Sequence, residues 1–506
     1  MNIKKFISNR IIYLGLAAIF EFILYAALFR YVREKSTLIE MFLHIAAVFI
    51  VLHIIRTSRH LSSDLMWLVL IMLAPVPGTA IFLMTSADLI KNKTFRAIVK
   101  EQKKAYPYLV QNNGVMQEME QKYPSRRASL SFIPSSGYPF YRNQGYDYYP
   151  LGETGWNVIL EEMKKAKHFI FMEYFIIEEG QMFNSMLEIM EQKVREGVEC
   201  RVMYDDMGSI DTIPASYAKK LEAKGIKAVS FNRVTPIINV IMNHRDHRKI
   251  LVIDGKTAFT GGVNLADEYI NVKVIHGHWK DNVVRIQGEA VWSLLVTFLT
   301  NWNALRHEDQ DYSVFRMDHS NLPVLPGYVA PYAETPLDQD LTAQSIYEDI
   351  LNGANEYVYI MTPYLIIDSE MINTLIHTAK KGVDVRIIMP GVPDKKIVWD
   401  IGRSYYPQLL EAGVKIYEYE PGFVHAKVFL SDDLCAAVGS INLDYRSLYL
   451  HFENGTYMIG TDAIRDIRRD FDETFEKCRQ VHIDDIANGP IKSIFLSAIR
   501  IFTPMM

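Results

Sequence analysis

The sequence has very little cysteine and no excess of positive charge, and both shortages exclude whole classes of protein. Its 506 residues include three cysteines, and no Cys-x-x-Cys pair occurs. A disulfide framework and a structural zinc site are therefore excluded as the basis of the fold. The net charge of −5 argues against a protein that coats nucleic acid. Hydrophobic residues make up 49% and charged residues 22%, which excludes a disordered or collagen-like chain.

Charge is unevenly distributed along the chain. Residues 1–104 hold 14 Lys/Arg and 6 Asp/Glu, a net charge of +8, which leaves −13 for the remainder. Three apolar runs lie in the same basic region, Ile11–Phe29, Met41–Ile55 and Leu65–Thr85. Because about 20 apolar residues cross a bilayer, we predict N-terminal transmembrane helices, in a membrane anchor at residues 1–90 with two or three hydrophobic segments. A cleaved signal peptide is the alternative for the first run.

The basic residues around these runs bear on orientation. Lys91 and Arg96 follow the third run, and positive residues favour the cytoplasmic side. Lys4 and Lys5 draw the N-terminus to the same side, which requires an even number of crossings. The break at Pro75-Val76-Pro77-Gly78 makes a re-entrant third run an alternative. We predict a multi-pass protein of the cell membrane with its body on the cytoplasmic face.

From about residue 126 the sequence has the pattern of α/β structure, in which β-branched and aromatic runs alternate with amphipathic segments. The same order of elements occurs twice. We therefore predict two homologous α/β lobes, 126–320 and 321–506, with a shared active-site cleft, behind a polar connector at 91–125. The first copy is predicted as strand His168–Ile177, helix Phe183–Val194 and strand Glu199–Tyr204. The second copy is predicted as strand Glu356–Ile367, helix Ile372–Lys381 and strand Val383–Met389.

Each lobe carries one matching set of polar residues. The first set is His247, Lys249, Asp254 and Asn264, and the second is His425, Lys427, Asp432 and Asn442. In both sets Lys follows His by two positions, Asp follows Lys by five, and Asn follows Asp by ten. Two matched copies at equivalent repeat positions are very improbable by chance. Side chains two apart on a strand lie on the same face, so each lobe presents its His and Lys together.

Two imidazoles, two ammonium groups and two amides around one cleft form a phosphate site. The lysines neutralise the non-bridging oxygens, and Asn264 and Asn442 orient them as substrate-binding residues. One imidazole can attack phosphorus, and the other can protonate the leaving alcohol and then deprotonate the incoming one. Asp254 and Asp432 mark strand ends, which favours a structural or orienting role within the predicted catalytic set. This scheme requires no metal or other cofactor, and we predict none.

The paired motifs resemble those of the phospholipase D superfamily, and the chain is most similar to its bacterial cardiolipin synthases. The resemblance includes Trp279-Lys280-Asp281 after the first motif and Leu443-Asp444-Tyr445-Arg446-Ser447 after the second. Gly262 stands where the superfamily usually has Ser. The resemblance implies a transferase that condenses two phosphatidylglycerol molecules into cardiolipin and glycerol through a phosphatidyl-histidine. It assigns His247 as the nucleophile and His425 as the acid/base, although the pseudo-symmetry of the motifs allows the reverse.

Each histidine also needs a carboxylate that orients its ring. Glu453 resembles the family's histidine-supporting glutamate, and Asp281 is the best candidate in the first lobe, with an ordinary surface carboxylate as the alternative for both. The motifs specify the phosphatidyl-enzyme step but not the acceptor, so a hydrolase or a transferase that uses another alcohol stays open. A nuclease agrees less well with the membrane anchor and the acidic body. A non-catalytic membrane scaffold agrees less well with the presence of two complete motifs. The predicted partners are phosphatidylglycerol, cardiolipin and an anionic membrane, with no nucleic acid.

Overall fold

A computed structural model of the chain describes residues 23, 30, 37–57, 61–75, 77–79, 81–83, 92–234, 243–338, 340–486 and 490–505. Two helices near the N-terminus, α1 (Thr37–Thr57) and α2 (Leu61–Leu73), pack together through a small apolar cluster that includes Ala47, Ile54 and Ile71. Within the described ranges, no helix combines the length and the apolar character that a membrane crossing needs.

The predicted N-terminal transmembrane helices are thus not among the described helices. The first apolar run, Ile11–Phe29, lies outside the described residues apart from residue 23. The second run lies within α1. The third run is interrupted, because α2 ends at Leu73 and its 13 residues span only about 20 Å, against about 30 Å for a hydrocarbon core. Large apolar side chains of α1, such as Phe42 and Phe49, are nevertheless exposed.

The connector contains the described helices α3 (Lys93–Ala105) and α4 (Asn113–Lys122), and α5 (Arg127–Ser135) follows at the start of the first lobe. The side chain of Asn92 accepts the Phe95 N–H at the start of α3, which satisfies one of the free donors of the first turn. Phe95 and Ile98 are buried in a cluster that contains Phe231 of the first lobe and Phe452 of the second. The connector therefore packs on both lobes.

The described residues between 141 and 306 supply nine strands and four α-helices. The strands are β1 (Tyr141–Arg142), β2 (Tyr146–Tyr149), β3 (Phe169–Tyr174), β4 (Glu199–Asp205), β5 (Lys227–Phe231), β6 (Lys249–Ile253), β7 (Thr257–Gly261), β8 (His278–Lys280) and β9 (Val283–Gln287). The helices are α6 (Gly152–Lys164), α7 (Gln181–Arg195), α8 (Tyr217–Glu222) and α9 (Val291–Arg306). Seven of these strands form one mixed sheet in the order β2-β9-β7-β6-β3-β4-β5.

The strands and helices from Tyr328 onward form the second lobe. Its strands are β10 (Tyr328–Glu334), β11 (Tyr357–Met361), β12 (Leu365–Ile366), β13 (Asp384–Pro390), β14 (Lys415–Tyr419), β15 (Gly422–Val424), β16 (Val428–Ser431), β17 (Cys435–Gly439), β18 (Leu443–Asp444), β19 (Glu453–Ile459) and β20 (Cys478–Val481). Its helices are α10 (Thr342–Asn352), α11 (Ser369–Lys380), α12 (Lys396–Arg403), α13 (Tyr406–Glu411), α14 (Ala463–Phe475) and α15 (Pro490–Arg500). Its nine-stranded sheet has the order β1-β10-β19-β17-β16-β11-β13-β14-β20.

Both sheets contain the same central arrangement, which confirms the prediction of two α/β lobes. β3 pairs in parallel with β4 and antiparallel with β6, just as β11 pairs in parallel with β13 and antiparallel with β16. These central strands are buried on both faces, which explains their continuous apolar sequences. The predicted strand Glu356–Ile367 is divided into β11 and β12, since Pro363 between them has no N–H for a ladder.

The two lobes meet along one extended seam. Helix α9 is buried along nearly its whole length, in a core cluster that also contains Phe171 of the first lobe and Leu430 of the second. At another point of the seam, β8 of the first lobe pairs in parallel with β15 of the second. Asp281 follows β8 and His425 follows β15, so this pairing brings residues of both lobes to the same place.

Candidate active site

The two motif histidines lie at the seam, and the backbone ties each of them to the opposite lobe. His247 lies two residues before β6, and its N–H donates to the Phe452 carbonyl at 2.8 Å. His425 directly follows β15, and its N–H donates to the Lys280 carbonyl at 2.7 Å. Both histidines are buried. The contact between the lobes therefore fixes the position of both imidazoles.

The orienting carboxylates are exchanged between the lobes. Nδ1 of His247 lies 2.8 Å from Oε1 of Glu453, and Nδ1 of His425 lies 2.6 Å from Oδ2 of Asp281. Each carboxylate is fully buried and belongs to the lobe opposite its histidine. A carboxylate at Nδ1 selects the tautomer with hydrogen on that nitrogen, which leaves the Nε2 lone pair for the substrate. Glu453 and Asp281 are thus placed as ring-orienting groups rather than as surface carboxylates.

The two carboxylates have different supports. The Ser440 hydroxyl donates to Oε2 of Glu453. Gly262 occupies the equivalent place in the first motif, and a Cβ there would lie 2.0 Å from Oδ1 of Asp281. Glycine at this position therefore lets the shorter Asp281 side chain approach the backbone closely. Asp281 accepts a backbone N–H from Asn282 instead, at 2.8 Å.

Lys249 and Lys427 are fully buried beside the histidines. Each Nζ donates to the backbone carbonyl of the histidine two residues before it, and in the part of the chain that the structure describes neither lysine forms a salt bridge. Burial lowers the pKa of Lys249 to about 7 and that of Lys427 to about 8. A buried ammonium without a carboxylate partner is unfavourable, and an oxyanion such as a phosphate relieves it.

Burial also lowers the pKa of both histidines. The pKa of His247 falls well below its usual value through burial and the nearby charge of Lys249. The pKa of His425 falls to about 4 through burial and Lys427, with Asp281 opposing the change. Both rings are therefore neutral in the free protein at neutral pH. The positive charge of Lys427 also acts on His247, as expected for motifs that face one site.

The pKa values of the two supporting carboxylates move in opposite directions. Burial raises the pKa of Glu453 to about 8, against the opposing effect of Lys249. Burial also acts to raise the pKa of Asp281, but His425 and Lys427 outweigh it and the net change is downward. Asp281 is therefore the more strongly anionic of the two carboxylates.

Asp254 and Asp432 lie at the far ends of the motif strands. Both have a left-handed backbone conformation, with φ of 52° and 53°, in the turns that follow β6 and β16. Asp254 accepts three consecutive backbone N–H groups at the start of β3, and Asp432 accepts three at the start of β11. Five residues of extended chain separate each Asp from the motif Lys, or about 16 Å. The structure does not bring them to the histidine cluster, and they hold the neighbouring central strand in place.

The two motif asparagines differ in what their amides contact. Oδ1 of Asn264 accepts the Ile176 N–H at 3.2 Å, and its Nδ2 donates to the Tyr269 hydroxyl at 2.8 Å. Nδ2 of Asn442 donates to Asp444 at 3.0 Å, and its Oδ1 is buried with no partner among the described residues. Asn264 therefore mainly braces its loop, whereas Asn442 keeps an acceptor for a hydroxyl group.

Aromatic rings and a third histidine complete the cluster. The ring of Phe175 lies 4.9 Å from that of His247, and the ring of Trp279 lies 5.6 Å from that of His425. The ring of His451 lies 5.7 Å from that of His247. Sequence reasoning missed His451, because it is a single histidine outside both motifs, and it placed Phe175 only within a strand. Trp279 had a signal in the sequence, its position two residues before Asp281.

One group of side chains could hold a metal ion. Among the described residues, His247, His451 and Glu453 each offer a ligand atom, and these atoms lie within 4.8 Å of one another. Two imidazoles and a carboxylate form a donor set that suits zinc. A metal ion here would compete with the hydrogen bond between His247 and Glu453, so we assign it no step in the chemistry.

Comparison with known families settles the relationship of the chain. The family model described as cardiolipin synthase, PLD-like domain, matches residues 159–297 and 347–475, one segment in each lobe. The chain belongs to the cardiolipin synthase family. The two matched segments lie on either side of the seam. The repeat that the sequence indicates therefore corresponds to two copies of one domain of the cardiolipin synthase family.

Curated relatives match over nearly their whole length. An uncharacterized protein of Streptococcus mutans is 43% identical over 90% of this chain and 99% of its own. Cardiolipin synthase 2 of Bacillus anthracis is 32% identical over 89% of this chain and 88% of its own. Cardiolipin synthase 1 of Staphylococcus aureus (strain COL) is 30% identical over 92% of this chain and 96% of its own.

The fold of this cardiolipin synthase family member is also found among solved structures. Phosphatidylserine synthase of Haemophilus influenzae superposes with a TM-score of 0.57 over 76% of this chain and 100% of that chain. The two sequences are only 12% identical, so the match concerns the fold alone.

Proposed function

We propose that the protein condenses two phosphatidylglycerol molecules into cardiolipin and glycerol. The observation that carries the proposal is the crossed pairing of histidines and carboxylates, which assembles two oriented imidazoles and two buried ammonium groups at one seam. Phosphoryl transfer through histidine needs this combination of a nucleophile, an acid/base and positive charge around phosphate. Relatives named cardiolipin synthase, which match over nearly the whole chain, support the choice of lipid.

The reaction takes place in two steps, formation of a phosphatidyl-histidine and its transfer to a second lipid. First, Nε2 of one imidazole attacks phosphorus, the P–O bond to the headgroup glycerol breaks, and the other histidine donates a proton to the leaving oxygen. That histidine then takes the proton from a hydroxyl of a second phosphatidylglycerol, whose oxygen attacks phosphorus as the P–N bond breaks. Lys249 and Lys427 neutralise the non-bridging oxygens in both steps.

The surroundings of the two rings support a division of roles. Burial and the charge of Lys249 lower the pKa of His247, so this ring is neutral and its Nε2 lone pair is free to act as the nucleophile. His425 faces the anionic Asp281, which stabilises the positive charge that an acid/base residue acquires. The negative charge of the bound phosphodiester raises the pKa of both rings, and His425 takes up its proton from solvent. The same roles were expected from the resemblance of the motifs.

A trapping experiment tests this division. In single turnovers with labelled phosphatidylglycerol, His247→Ala should give no acid-stable lipid–protein adduct. His425→Ala should form the adduct slowly and accumulate it, because the second step lacks its base. The exposed His377 on α11 gives a matched control, and His377→Ala should behave as wild type. An adduct in His247→Ala together with none in His425→Ala would reverse the roles.

The mouth of the site has features that suit a lipid surface. The loop before β8 exposes Val272, Val274 and Ile275. The loop before α12 exposes Val392, and the first turn of α12 exposes Ile397. The Val392 N–H donates to the Gly422 carbonyl at the start of β15. Since β8 and β15 pair and lead directly to Asp281 and His425, these apolar loops flank the path by which a lipid headgroup enters. We name these residues the entry rim.

Further elements support the proposal of a membrane on the same side. α12 begins at the entry rim and packs against α15, where Lys492 bonds Asp400 at 2.8 Å. α15 exposes Ile494 and Phe495, and the turn after it, Thr503–Met505, contacts α2. The exposed apolar side chains of α1, α15 and the entry rim support attachment to an anionic membrane. We propose that residues 1–90 form the membrane anchor and that the lobes lie on the cytoplasmic face.

The cytoplasmic placement has a direct test. Lys395 is exposed beside the entry rim, and Lys395→Cys in a chain without its native cysteines provides one reactive thiol. A membrane-impermeant maleimide should label this thiol only after the cell membrane has been opened. Labelling in intact cells would place the lobes on the outer face.

One assay decides the activity itself. Purified protein in detergent is incubated with labelled phosphatidylglycerol, and cardiolipin, phosphatidic acid and glycerol are separated. Cardiolipin with an equal amount of glycerol is the expected result. Phosphatidic acid without cardiolipin would assign a hydrolase, and turnover that depends on another added alcohol would assign a different acceptor. Binding of lipid without turnover would leave the protein a membrane scaffold.

A further inference from the structure

His451 is a buried histidine that the proposed reaction does not use. It follows the helical turn Arg446–Leu450 and precedes β19, and its N–H donates to the Arg446 carbonyl at 2.8 Å. Only 7% of the residue is exposed. Its ring lies 5.7 Å from that of His247 at an interplanar angle of 43°. His451 therefore lies beside the nucleophile, inside the seam between the lobes.

Neither nitrogen of the His451 ring has a hydrogen-bond partner among the described residues. Oε1 of Glu453 lies 3.9 Å from Nδ1, which is too far for a hydrogen bond. Buried polar atoms are almost always paired, so an unpaired ring beside reactive groups indicates a place for a ligand. A neutral imidazole offers one donor and one acceptor, and a suitable ligand group must offer both as well.

The chemistry of the substrate separates the groups that fit from those that do not. Non-bridging phosphate oxygens only accept hydrogen bonds, and Lys249 and Lys427 already serve them. A hydroxyl group both donates and accepts, and the headgroup of phosphatidylglycerol carries two of them. Burial lowers the pKa of His451, and the charges of Arg446, Arg245 and Lys249 lower it further. The same charges disfavour a cationic headgroup at this position. We propose that His451 is the binding residue for a hydroxyl of the glycerol headgroup, a subsite that rests on the proposed function.

The experiment compares two lipid donors that differ only in those hydroxyls. Phosphatidylglycerol and phosphatidylpropanol with the same acyl chains are presented in mixed micelles that contain EDTA, and release of the headgroup alcohol is measured. Headgroup release reports the first step whether the acceptor is a lipid or water. The result for His451 is therefore independent of whether cardiolipin is the final product.

Two variants separate a binding role from a structural one. His451→Phe fills the space but has no polar atom, and His451→Gln keeps both a donor and an acceptor. We expect His451→Phe to lower kcat/KM for phosphatidylglycerol about tenfold, as for loss of one hydrogen bond, and to change kcat/KM for phosphatidylpropanol less than about twofold. His451→Gln should retain most of the wild-type preference for phosphatidylglycerol.

Three results would overturn the proposal. An equal fall for both donors would show that His451 acts on the site as a whole, through Glu453 or His247. Unchanged kinetics for both donors would show that the ring does not contact the headgroup. If removal of EDTA and addition of zinc inhibit the wild type but not His451→Phe, and the donor preference of the two proteins is the same, the free nitrogens serve a metal ion instead.

Discussion

Gly262 gives the sharpest test of how the site is built, because one added methyl group should displace the carboxylate that orients His425. An ideal Cβ at Gly262 lies 2.0 Å from Oδ1 of Asp281, and real Cβ contacts essentially never fall under 3.0 Å. In Gly262→Ala the carboxylate must therefore retreat by at least about 1 Å. The bond of 2.6 Å between Asp281 and His425 would then lengthen to about 3.6 Å, beyond hydrogen-bonding distance.

The cost of this lengthening can be estimated. A hydrogen bond to a charged group contributes about 1.5–3 kcal/mol, and each 1.4 kcal/mol in activation free energy corresponds to a factor of about ten. We therefore expect Gly262→Ala to lower kcat for phosphatidylglycerol by about 10- to 150-fold. The folded structure should persist, since the main clash is with the end of the Asp281 side chain and the His425 carbonyl oxygen, 2.9 Å from the new Cβ, must move only slightly. Thermal unfolding and headgroup release are the two measurements.

Two control variants accompany Gly262→Ala. Gly402→Ala also adds a methyl group at a buried glycine, but its Cβ would lie 3.5 Å from the Leu365 carbonyl oxygen, so activity should stay within about twofold. In an Asp281→Ala background there is no carboxylate to displace and only the contact of 2.9 Å with the His425 carbonyl oxygen remains, so Gly262→Ala should add little. A Gly262→Ala variant with nearly full activity, or an effect that persists without Asp281, would refute the argument.

The buried lysines predict a limit to activity at high pH. Since the pKa of Lys249 is about 7 and that of Lys427 about 8, each ammonium loses its charge as the pH rises, and kcat/KM should fall between about pH 7 and pH 9. Lys427→Arg should move this fall to higher pH because a guanidinium stays charged, and an unmoved limit would contradict the role of the lysine. Asp254→Asn should lower the free energy of unfolding in urea by about 1–3 kcal/mol with kcat per folded molecule near the wild-type value, whereas a normal stability with a large loss of kcat would place Asp254 in catalysis. Val274→Asp should slow turnover of vesicle lipid about tenfold through lost burial of a valine but leave water-soluble short-chain phosphatidylglycerol unaffected. The control Val314→Asp changes a side chain of similar exposure, 65% against 72% for Val274, and an equal effect in both would remove the entry rim from lipid binding.

The repeat was the part of the fold that could be predicted best. The predicted helix Phe183–Val194 and strand Glu199–Tyr204 correspond to α7 and β4 within two residues at each end. A helix that is buried on one face has a clear helical period, and a strand that is buried on both faces is a short run of largely apolar residues. The edges of the sheets were not predictable in the same way, since short strands such as β1 and β12 carry too few residues for a pattern.

The sequence predicted which residues form the site better than it predicted the contacts between them. Spacing within each motif placed His and Lys together, but nothing in a local pattern relates His247 to Glu453, 206 positions further along the chain. The exchange of carboxylates between lobes is a property of the tertiary structure. His451 had no signal for the same reason, because its importance arises from the ring of His247 packed beside it. The role of Asp254 was visible in part, since its position at a strand end indicated a structural residue.

The exchange of carboxylates has a consequence for how the two halves of the chain can change. A substitution at Asp281 in the first half is felt by His425 in the second, and a substitution at Glu453 is felt by His247. Neither half on its own would contain a histidine with its carboxylate. The arrangement has the reciprocity of a two-fold symmetric dimer in which each subunit completes the other's site. If either lobe were lost, the remaining histidine would have no orienting carboxylate. Each lobe therefore constrains the evolution of the other.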